Sequence, residues 1–134
     1  MSKIMDIEGV GPASAQKLGA AGIRSTQNLL EQGATPKGRS AIAEKSGLSQ
    51  EQILKWVNHA DLFRIKGVAG QYSDLLESAG VDTVPELANR KAENLRQKMV
   101  EVNQQKHLVR NLPSLNQVEA WVTQAKQLPR VVTY

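Results

Sequence analysis

The segment IEGVGPASAQKLGAAGI, residues 7–23, is followed 58 residues later by a segment of the same design, IKGVAGQYSDLLESAGV, residues 65–81. Both carry an early glycine turn and an Ala-Gly pair before the last residue. The matched pairs are Ile7 with Ile65, Gly9 with Gly67, Val10 with Val68, Leu18 with Leu76, Ala21 with Ala79, Gly22 with Gly80, and Ile23 with Val81. Self-similarity at a fixed spacing indicates a repeated structural unit, so the chain is predicted to contain one fold twice.

The repeat extends to the ends of both copies. The motif WVNHADL near residue 60 is echoed by WVTQAKQL, and their tryptophans, Trp56 and Trp121, are 65 residues apart. About seven additional residues therefore lie in the middle of the second copy. We predict a first repeat over residues 1–62 and a second over residues 63–134, the second with a longer third helix and a C-terminal tail.

Nearly all of the first copy is predicted to be helical. Pro12 suits the first position of a helix that continues to about Ala21. Gly22 and its counterpart Gly80 are expected to end their helices in the left-handed conformation. Ser25 is the next N-cap candidate.

Three further helix starts follow from capping residues. Thr83, with Glu86 three residues later, has the spacing of a capping box. Thr35-Pro36 begins a helix that should end at Gly47. Ser49 with Gln52 begins another, which runs to about residue 61.

In the second copy the segment AENLRQKMVEVNQQKHLVRNL is predicted to be one long helix, ended by Pro113. Ser114 or Asn116 caps the last helix. Alternating apolar residues are limited to the tail RVVTY. The predicted fold class is all-α, with about eight short helices in two tandem four-helix units.

The amino-acid composition limits the kinds of function that the protein can have. The chain of 134 residues has 17 basic and 13 acidic side chains, a net charge of +4 and a pI near 9.5. The first half carries a net +1 and the second a net +3, which permits binding to nucleic acid without requiring it. Cysteine is absent, so disulfides and thiolate chemistry are excluded. With neither a signal peptide nor an apolar run of membrane-spanning length, we expect a cytoplasmic protein.

The glycine turn has a chemistry of its own. The pattern I-x-G-V-G followed by a helix resembles the hairpin of helix-hairpin-helix motifs. Glycine tolerates the positive φ that a tight reversal needs, and the intervening valine anchors the turn in the core. Bare main-chain N–H groups then stand at the positive end of the next helix, which favours an anion. In proteins with this motif the anion is a nucleic-acid phosphate, bound without regard to base sequence.

Almost the whole chain resembles a family of uncharacterised bacterial proteins with a duplicated helix-hairpin-helix unit, a DUF4332-like domain of unknown function. The resemblance rests on IEGVGPASAQKL, GATPKGR, ILKWVNHADLFRIKGV, LLESAGVDTVPEL and LPSLNQVEAWVTQAKQLP. It implies a SAM-like helical fold and no known activity. The first thirty residues of each copy also resemble, more loosely, the N-terminal helix-hairpin-helix domain of recombinase-type ATPases. That resemblance implies docking to DNA or protein, because the chain has no phosphate-binding G-x-x-x-x-G-K-[ST] loop.

The candidate nucleic-acid-binding residues follow from the two turns and the cations beside them. They are Gly9, Val10, Gly11, Ala13, Ser14, Lys17, Lys37 and Arg39 in the first copy, and Arg64, Lys66, Gly67, Ala69, Gly70 and Gln71 in the second. Main-chain amides as far as Tyr72 would complete the second site. The alternative is that the glycines form only tight turns.

Each turn departs from the motif in its own way. Only six residues precede the first turn, and Ala69 stands where the second turn should have its second glycine. Lys37 and Arg39 would oppose the dipole at a helix start, so a phosphate or an acid such as Glu31 should offset them. Gly38 between them predicts a close approach of backbone.

No other site is predicted. His59 and His107 lack partners at metal-ligand spacing, and no nucleophile or paired-carboxylate motif occurs, so we predict no metal, no cofactor and no enzymatic activity. Trp56 and Trp121 are interpreted as core anchors. The tail could fold over its own bundle or reach a partner subunit, and the first is favoured.

These observations lead to one hypothesis and one alternative. The first is a non-catalytic protein that binds nucleic-acid backbone through the two turns. The alternative is a protein–protein adaptor without nucleic-acid binding, which the nearly balanced charge and Ala69 favour.

Overall fold

The computed structural model describes residues 3–68 and 70–134, and these form eight α-helices after a short 3₁₀ turn. The 3₁₀ turn is Ile4–Asp6. The helices are α1 (Pro12–Ala20), α2 (Thr26–Gln32), α3 (Pro36–Ser46), α4 (Gln50–Leu62), α5 (Gly70–Ser78), α6 (Val84–Ala88), α7 (Ala92–Lys106) and α8 (Leu115–Gln127). The described residues contain no β-strand, so the all-α prediction is confirmed. Within those ranges no helix combines the length and the apolarity needed to span a membrane.

The chain divides into two compact units. Unit 1 comprises residues up to Asp61 together with Val131–Tyr134, and unit 2 comprises Leu62–Arg130. The last four residues therefore belong to the first unit, although they follow the second in sequence. This differs from the expectation that the tail folds over its own bundle.

The two units repeat the same helices. α1 and α5 each have nine residues and begin 58 apart, and α4 and α8 each have thirteen residues and begin 65 apart. The second copy is longer in two places, its third helix and the connection that follows it. α7 has 15 residues, whereas α3 has 11. The connection before α8, residues 107–114, is eight residues long, whereas the connection before α4, residues 47–49, is three.

In unit 1 the core is aliphatic with one indole. α1 packs against α3 and the 3₁₀ turn, and α2 packs against α3. The fully buried apolar side chains of this unit include Ile7, Leu18, Ile23, Leu29, Ile53 and Val57.

Unit 2 has the equivalent core. α8 packs against α6 and α7, and α5 packs against α7. The stripe predicted for the long helix, Leu95, Met99 and Val102, is buried. Trp121 lies in this core, as predicted for an anchor, and Trp56 is likewise buried in unit 1.

Most helix ends follow the predicted capping chemistry. Gly22, Gly47 and Gly80 have φ of +85°, +77° and +95°, respectively. The Ser25 hydroxyl accepts the Asn28 amide, and the Thr35 hydroxyl accepts the Gly38 amide.

Capping also holds at the last helix of each unit. The Ser49 hydroxyl accepts the Gln52 amide, and Ser114 forms a complete capping box with Gln117.

Two sequence predictions about helix ends are wrong. Thr83 is the N-cap of α6, but its side chain makes no capping bond, and the Glu86 carboxylate lies 3.7 Å from the Arg90 guanidinium instead. The long helix ends at Lys106 rather than near Pro113, because His107 turns into the left-handed region (φ +51°). The Asn103 amide then bonds to both the N–H and the C=O of Val109, which fixes the departing chain.

Gly38 marks the close backbone approach that its position predicted. A Cβ at this residue would collide with the Gln32 carbonyl oxygen, so α3 begins directly against the end of α2. Only glycine permits this contact.

Candidate functional site

Each unit contains one glycine corner before a nine-residue helix. We call residues 9–11 the first corner and residues 67–70 the second corner; Ala69 lies outside the described residues. Gly9 and Gly67 both have φ of +92°. The valine after each glycine is buried and its amide donates 3.1 Å to the isoleucine three residues earlier, Ile7 or Ile65. The corners are therefore the same turn made twice, with the valine anchor that the sequence predicted.

The second glycine of the first corner does not need a special backbone. Gly11 has φ of −88° and serves as the N-cap of α1, and a Cβ there would meet nothing within 4 Å. A side chain at this position is sterically tolerated. Alanine at the equivalent position of the second copy therefore does not count against that corner.

Both corners have main-chain N–H groups for which residues 3–68 and 70–134 supply no acceptor. At α1 the amides of Gly11, Ala13 and Ser14 have no acceptor in the described part of the chain, since the first bond of the helix is from the Ala15 amide to the Gly11 carbonyl. Among the described residues the same holds for the first amides of α5, Gly70 and Gln71. Such groups give a helix N-terminus its affinity for anions.

A tryptophan lies behind each corner. The point that a Cβ would occupy at Gly9 is 3.8 Å from Nε1 of Trp56, and at Gly67 it is 3.0 Å from Nε1 of Trp121. Both side chains are core anchors, with 4% and 2% of their surface exposed. The absence of a side chain at each glycine thus lets the nitrogen edge of an indole approach the corner.

The second corner is held in place by α8. The Gln124 side chain accepts the Lys66 amide at 3.0 Å and donates to the Lys66 carbonyl at 3.5 Å. Gln124 is three residues after Trp121, so both side chains leave the same face of the helix. α8 therefore fixes the main chain on which the α5 amides depend.

A surface depression of about 410 Å³ opens at the start of α5. It is lined by Gly70, Gln71, Tyr72, Arg110 and Asn111. The Tyr72 hydroxyl donates to the Asn111 carbonyl at 2.9 Å, which ties the 107–114 connection to the helix start. The depression places an exposed cation, Arg110, beside free main-chain amides.

The charges before the two corners are opposite. Asp6 and Glu8 precede the first corner, and the residues 58 positions later, Arg64 and Lys66, precede the second. Glu8 and Lys66 are both exposed. An anion is therefore favoured at the second corner and opposed at the first.

The predicted cations divide into free and engaged side chains. Lys17, Lys37 and Lys66 are exposed. The half-buried Arg64 donates from Nη1 to the Pro129 carbonyl at 2.9 Å. Arg64 thus has a structural contact in addition to any role at the corner.

Arg39 is not on the surface as its predicted role requires. It is 5% exposed and donates to the carbonyls of Gly33 at 2.9 Å and Thr133 at 2.7 Å, with its guanidinium 5.9 Å from the Tyr134 ring centre. Burial lowers the pKa of Arg39 from its ordinary value, and Tyr134 raises it in part. The sequence predicts a phosphate or Glu31 as the group that offsets this charge, whereas the guanidinium is bound by the carbonyl oxygens of Gly33 and Thr133. We therefore exclude Arg39 from the candidate site.

Sequence reasoning missed two residues that lie next to the second corner, Gln124 and Arg110. Gln124 lies 58 residues after Lys66 and reaches it only through the fold. The sequence predicts a continuous helix through Arg110, so the approach of this residue to α5 depends on the early end of α7. No local signal identifies either residue.

Comparison with known proteins places the chain in a family without assigning a function. No solved structure matches it. A match to the family described as Domain of unknown function (DUF4332) covers residues 8–128, which include both corners and both tryptophans. The protein is therefore a member of that family.

Proposed function

We propose that this protein is a non-catalytic helix-hairpin-helix protein that binds the phosphate backbone of nucleic acid, chiefly through its second corner. The observation that carries the proposal is the pair of free amides at Gly70 and Gln71, which line a depression together with the exposed Arg110. The exposed Lys66 precedes them by four residues in the sequence. Main-chain N–H groups and lysine or arginine side chains are the usual donors to phosphate oxygens. Base edges are not needed, so binding is expected to tolerate any sequence.

The first corner has the same main-chain geometry but a less favourable charge. Glu8 stands next to Gly9, and Lys17 on α1 is the exposed cation that follows it. We infer that the first corner adds a weak contact at most. The motif alone would predict equal binding at both corners, whereas the charges predict stronger binding at the second.

The surface argues against the adaptor alternative. Among the described residues only Met5 and Tyr134 are large hydrophobic side chains with high exposure. Tyr134 is engaged through its hydroxyl, 3.2 Å from Oδ1 of Asn58. An adaptor that docks its partner by hydrophobic contact would need a contiguous apolar patch.

The test is a titration of labelled duplex and single-stranded DNA at two salt concentrations. We expect binding at low salt that weakens steeply, with a slope of about −0.9 per phosphate contacted on duplex DNA. Lys66→Ala should reduce the magnitude of the slope by about 1, whereas Lys98→Ala, which removes the same charge from α7, should leave it unchanged. Absence of binding at low salt by the folded protein would disprove the proposal.

A further inference from the structure

The tail, Val131–Tyr134, follows unit 2 in the sequence but is bound by residues of unit 1. Val132 is 2% exposed, whereas Thr133 and Tyr134 are exposed. The segment has no helix or strand of its own, and its hydrogen bonds run to side chains and carbonyls of unit 1. It therefore resembles a peptide ligand that is covalently joined to its receptor.

The groups that bind the tail come mainly from the segment GATPKGR, residues 33–39. The Thr133 amide donates to the Ala34 carbonyl at 2.8 Å, and the Thr133 carbonyl accepts from Nη2 of Arg39 at 2.7 Å. Both main-chain groups of one tail residue are thus bound, as in peptide recognition through the backbone. Nη1 of Arg39 donates to the Gly33 carbonyl at 2.9 Å, a bond that positions the guanidinium and involves no tail residue.

Side chains on either side of Thr133 give this site its selectivity. Val132 is buried, so the position before Thr133 requires an apolar side chain and excludes a charge. The Tyr134 hydroxyl lies 3.2 Å from Oδ1 of the buried Asn58, and the Tyr134 ring centre lies 5.9 Å from Cζ of Arg39. The exposed Thr133 contributes mainly through its main chain. The site, which we call the tail site, therefore selects the pattern Val-x-Tyr.

The connection between unit 2 and the tail is short. The Pro129 carbonyl accepts from Nη1 of Arg64 at 2.9 Å, and both residues belong to unit 2. Two residues, Arg130 and Val131, separate this fixed carbonyl from the buried Val132. A short connection favours exchange of the attached segment between copies, because the tail of a second molecule makes the same contacts with the connection in another conformation.

We propose that unit 1 contains a binding site for a Val-x-Tyr segment and that its occupant in a dimer is the tail of a second copy of this chain. In the monomer the chain's own tail fills the site. The proposal is independent of nucleic-acid binding, and it gives the segment GATPKGR a peptide as its ligand in place of the phosphate that the sequence predicts. A short tether corresponds to a local tail concentration of about 1 mM, so the natural chain should exchange tails near that protein concentration.

The test deletes Arg130 from the full chain. Loss of one residue shortens the reach of the tail by about 3.3–3.6 Å, which opposes docking within one molecule but not between two. At about 0.1 mM the natural chain should sediment as a monomer and the deletion variant as a dimer, a fall of at least about tenfold in the dissociation constant of the dimer. The Thr133 amide should be protected from hydrogen exchange in both, because the Ala34 carbonyl accepts it.

The matched control combines the same deletion with Val132→Asp, which places a charge at the buried position of the tail. This variant should be a monomer with an unprotected Thr133 amide. A dimer that persists in the control would overturn the proposal, because the copies would then associate through another surface. A monomeric deletion variant with an unprotected Thr133 amide would also overturn it, since a released tail would have failed to enter the site of a second copy.

The natural chain decides if the deletion variant is unfolded by circular dichroism or is a monomer with a protected Thr133 amide. Equal amounts of ¹⁵N-labelled and ¹³C-labelled natural chain are mixed at about 1 mM, where exchange is expected. We expect nuclear Overhauser effects between the ¹⁵N-bound proton of Thr133 in one copy and the ¹³C-bound protons of Ala34 in the other. Their absence would assign the tail site to the chain's own tail alone and overturn the proposal.

Discussion

At the scale of single residues, Arg39 shows how a cation in a basic-looking motif can be structural. The motif ATPKGR resembles a phosphate contact, yet the Arg39 guanidinium is buried within unit 1 and donates to two main-chain carbonyls. One acceptor, Thr133, is 94 residues away in sequence. No local pattern contains that information.

Arg39→Ala should lower the free energy of unfolding by about 2–4 kcal/mol, because charge-assisted bonds to the buried Gly33 carbonyl and the partly buried Thr133 carbonyl are lost. Arg39→Lys should recover only part of it, since an ammonium group lacks the fork that reaches both carbonyls. Urea denaturation measures both. Duplex affinity should stay unchanged in Arg39→Ala; a loss of binding with unchanged stability would restore the predicted phosphate role.

Gly38 and Gly19 form a matched pair for a second prediction. Gly38→Ala should destabilise by about 2 kcal/mol or more, because its Cβ would collide with a backbone carbonyl that cannot move cheaply. Gly19 lies inside α1 with nothing within 4 Å of its Cβ position, so Gly19→Ala should stabilise by about 0.5–1 kcal/mol. Thermal denaturation compares them. Equal effects would mean that helix propensity, and not the contact, decides.

At the scale of elements, the helices and caps were predictable because their determinants are local. Proline at a helix start, a hydroxyl three residues before an amide and glycine after a helix act over one turn. The end of α7 was not predictable. It depends on Asn103, whose side chain competes for the backbone of Val109, and on His107 in a left-handed conformation that the sequence does not announce.

The candidate site likewise has some residues that are predictable from local sequence and others that are brought in by tertiary contacts. The corners, their valine anchors and the exposed Lys66 follow from the repeat. Gln124 and Arg110 enter the second corner from other elements, so they were visible only in the folded chain. The opposite charges of Glu8 and Lys66 can be read from the sequence. Their significance depends on the structure, which shows that the two corners they precede have the same backbone geometry.

That reversal can be tested by making the corners alike. Glu8→Lys gives the first corner the cation that the second has at Lys66, so duplex affinity at low salt should rise by about fivefold and the salt slope should steepen by about 0.9 for one added phosphate. The control is Glu44→Lys, the same charge change on α3. Equal gains from both variants would attribute the effect to net charge and not to the corner.

At the scale of the whole molecule, unit 1 is built from two separate segments of the chain, one before and one after unit 2. The second segment of unit 1 is Val131–Tyr134, which follows the last residue of unit 2 in the sequence. Val132 is buried, and the Thr133 amide donates to the Ala34 carbonyl at 2.8 Å. The tail has no regular secondary structure, and it packs by tertiary contacts that have no counterpart in the repeat.

Removal of residues 131–134 should therefore weaken unit 1 although the cut lies beyond unit 2. Because the burial of Val132 and the hydrogen bonds of Thr133 are lost, the free energy of unfolding of unit 1 should fall by about 2–4 kcal/mol. Hydrogen exchange at the buried amides of α1 and α3 should then become faster by roughly 30-fold or more. The amides of α5 and α8 serve as the internal reference. Because Arg39 holds the same tail, truncation combined with Arg39→Ala should cost at least about 1 kcal/mol less than the two changes added separately. Strict additivity would show that Arg39 stabilises unit 1 through the Gly33 carbonyl alone, and that the tail is bound independently of it.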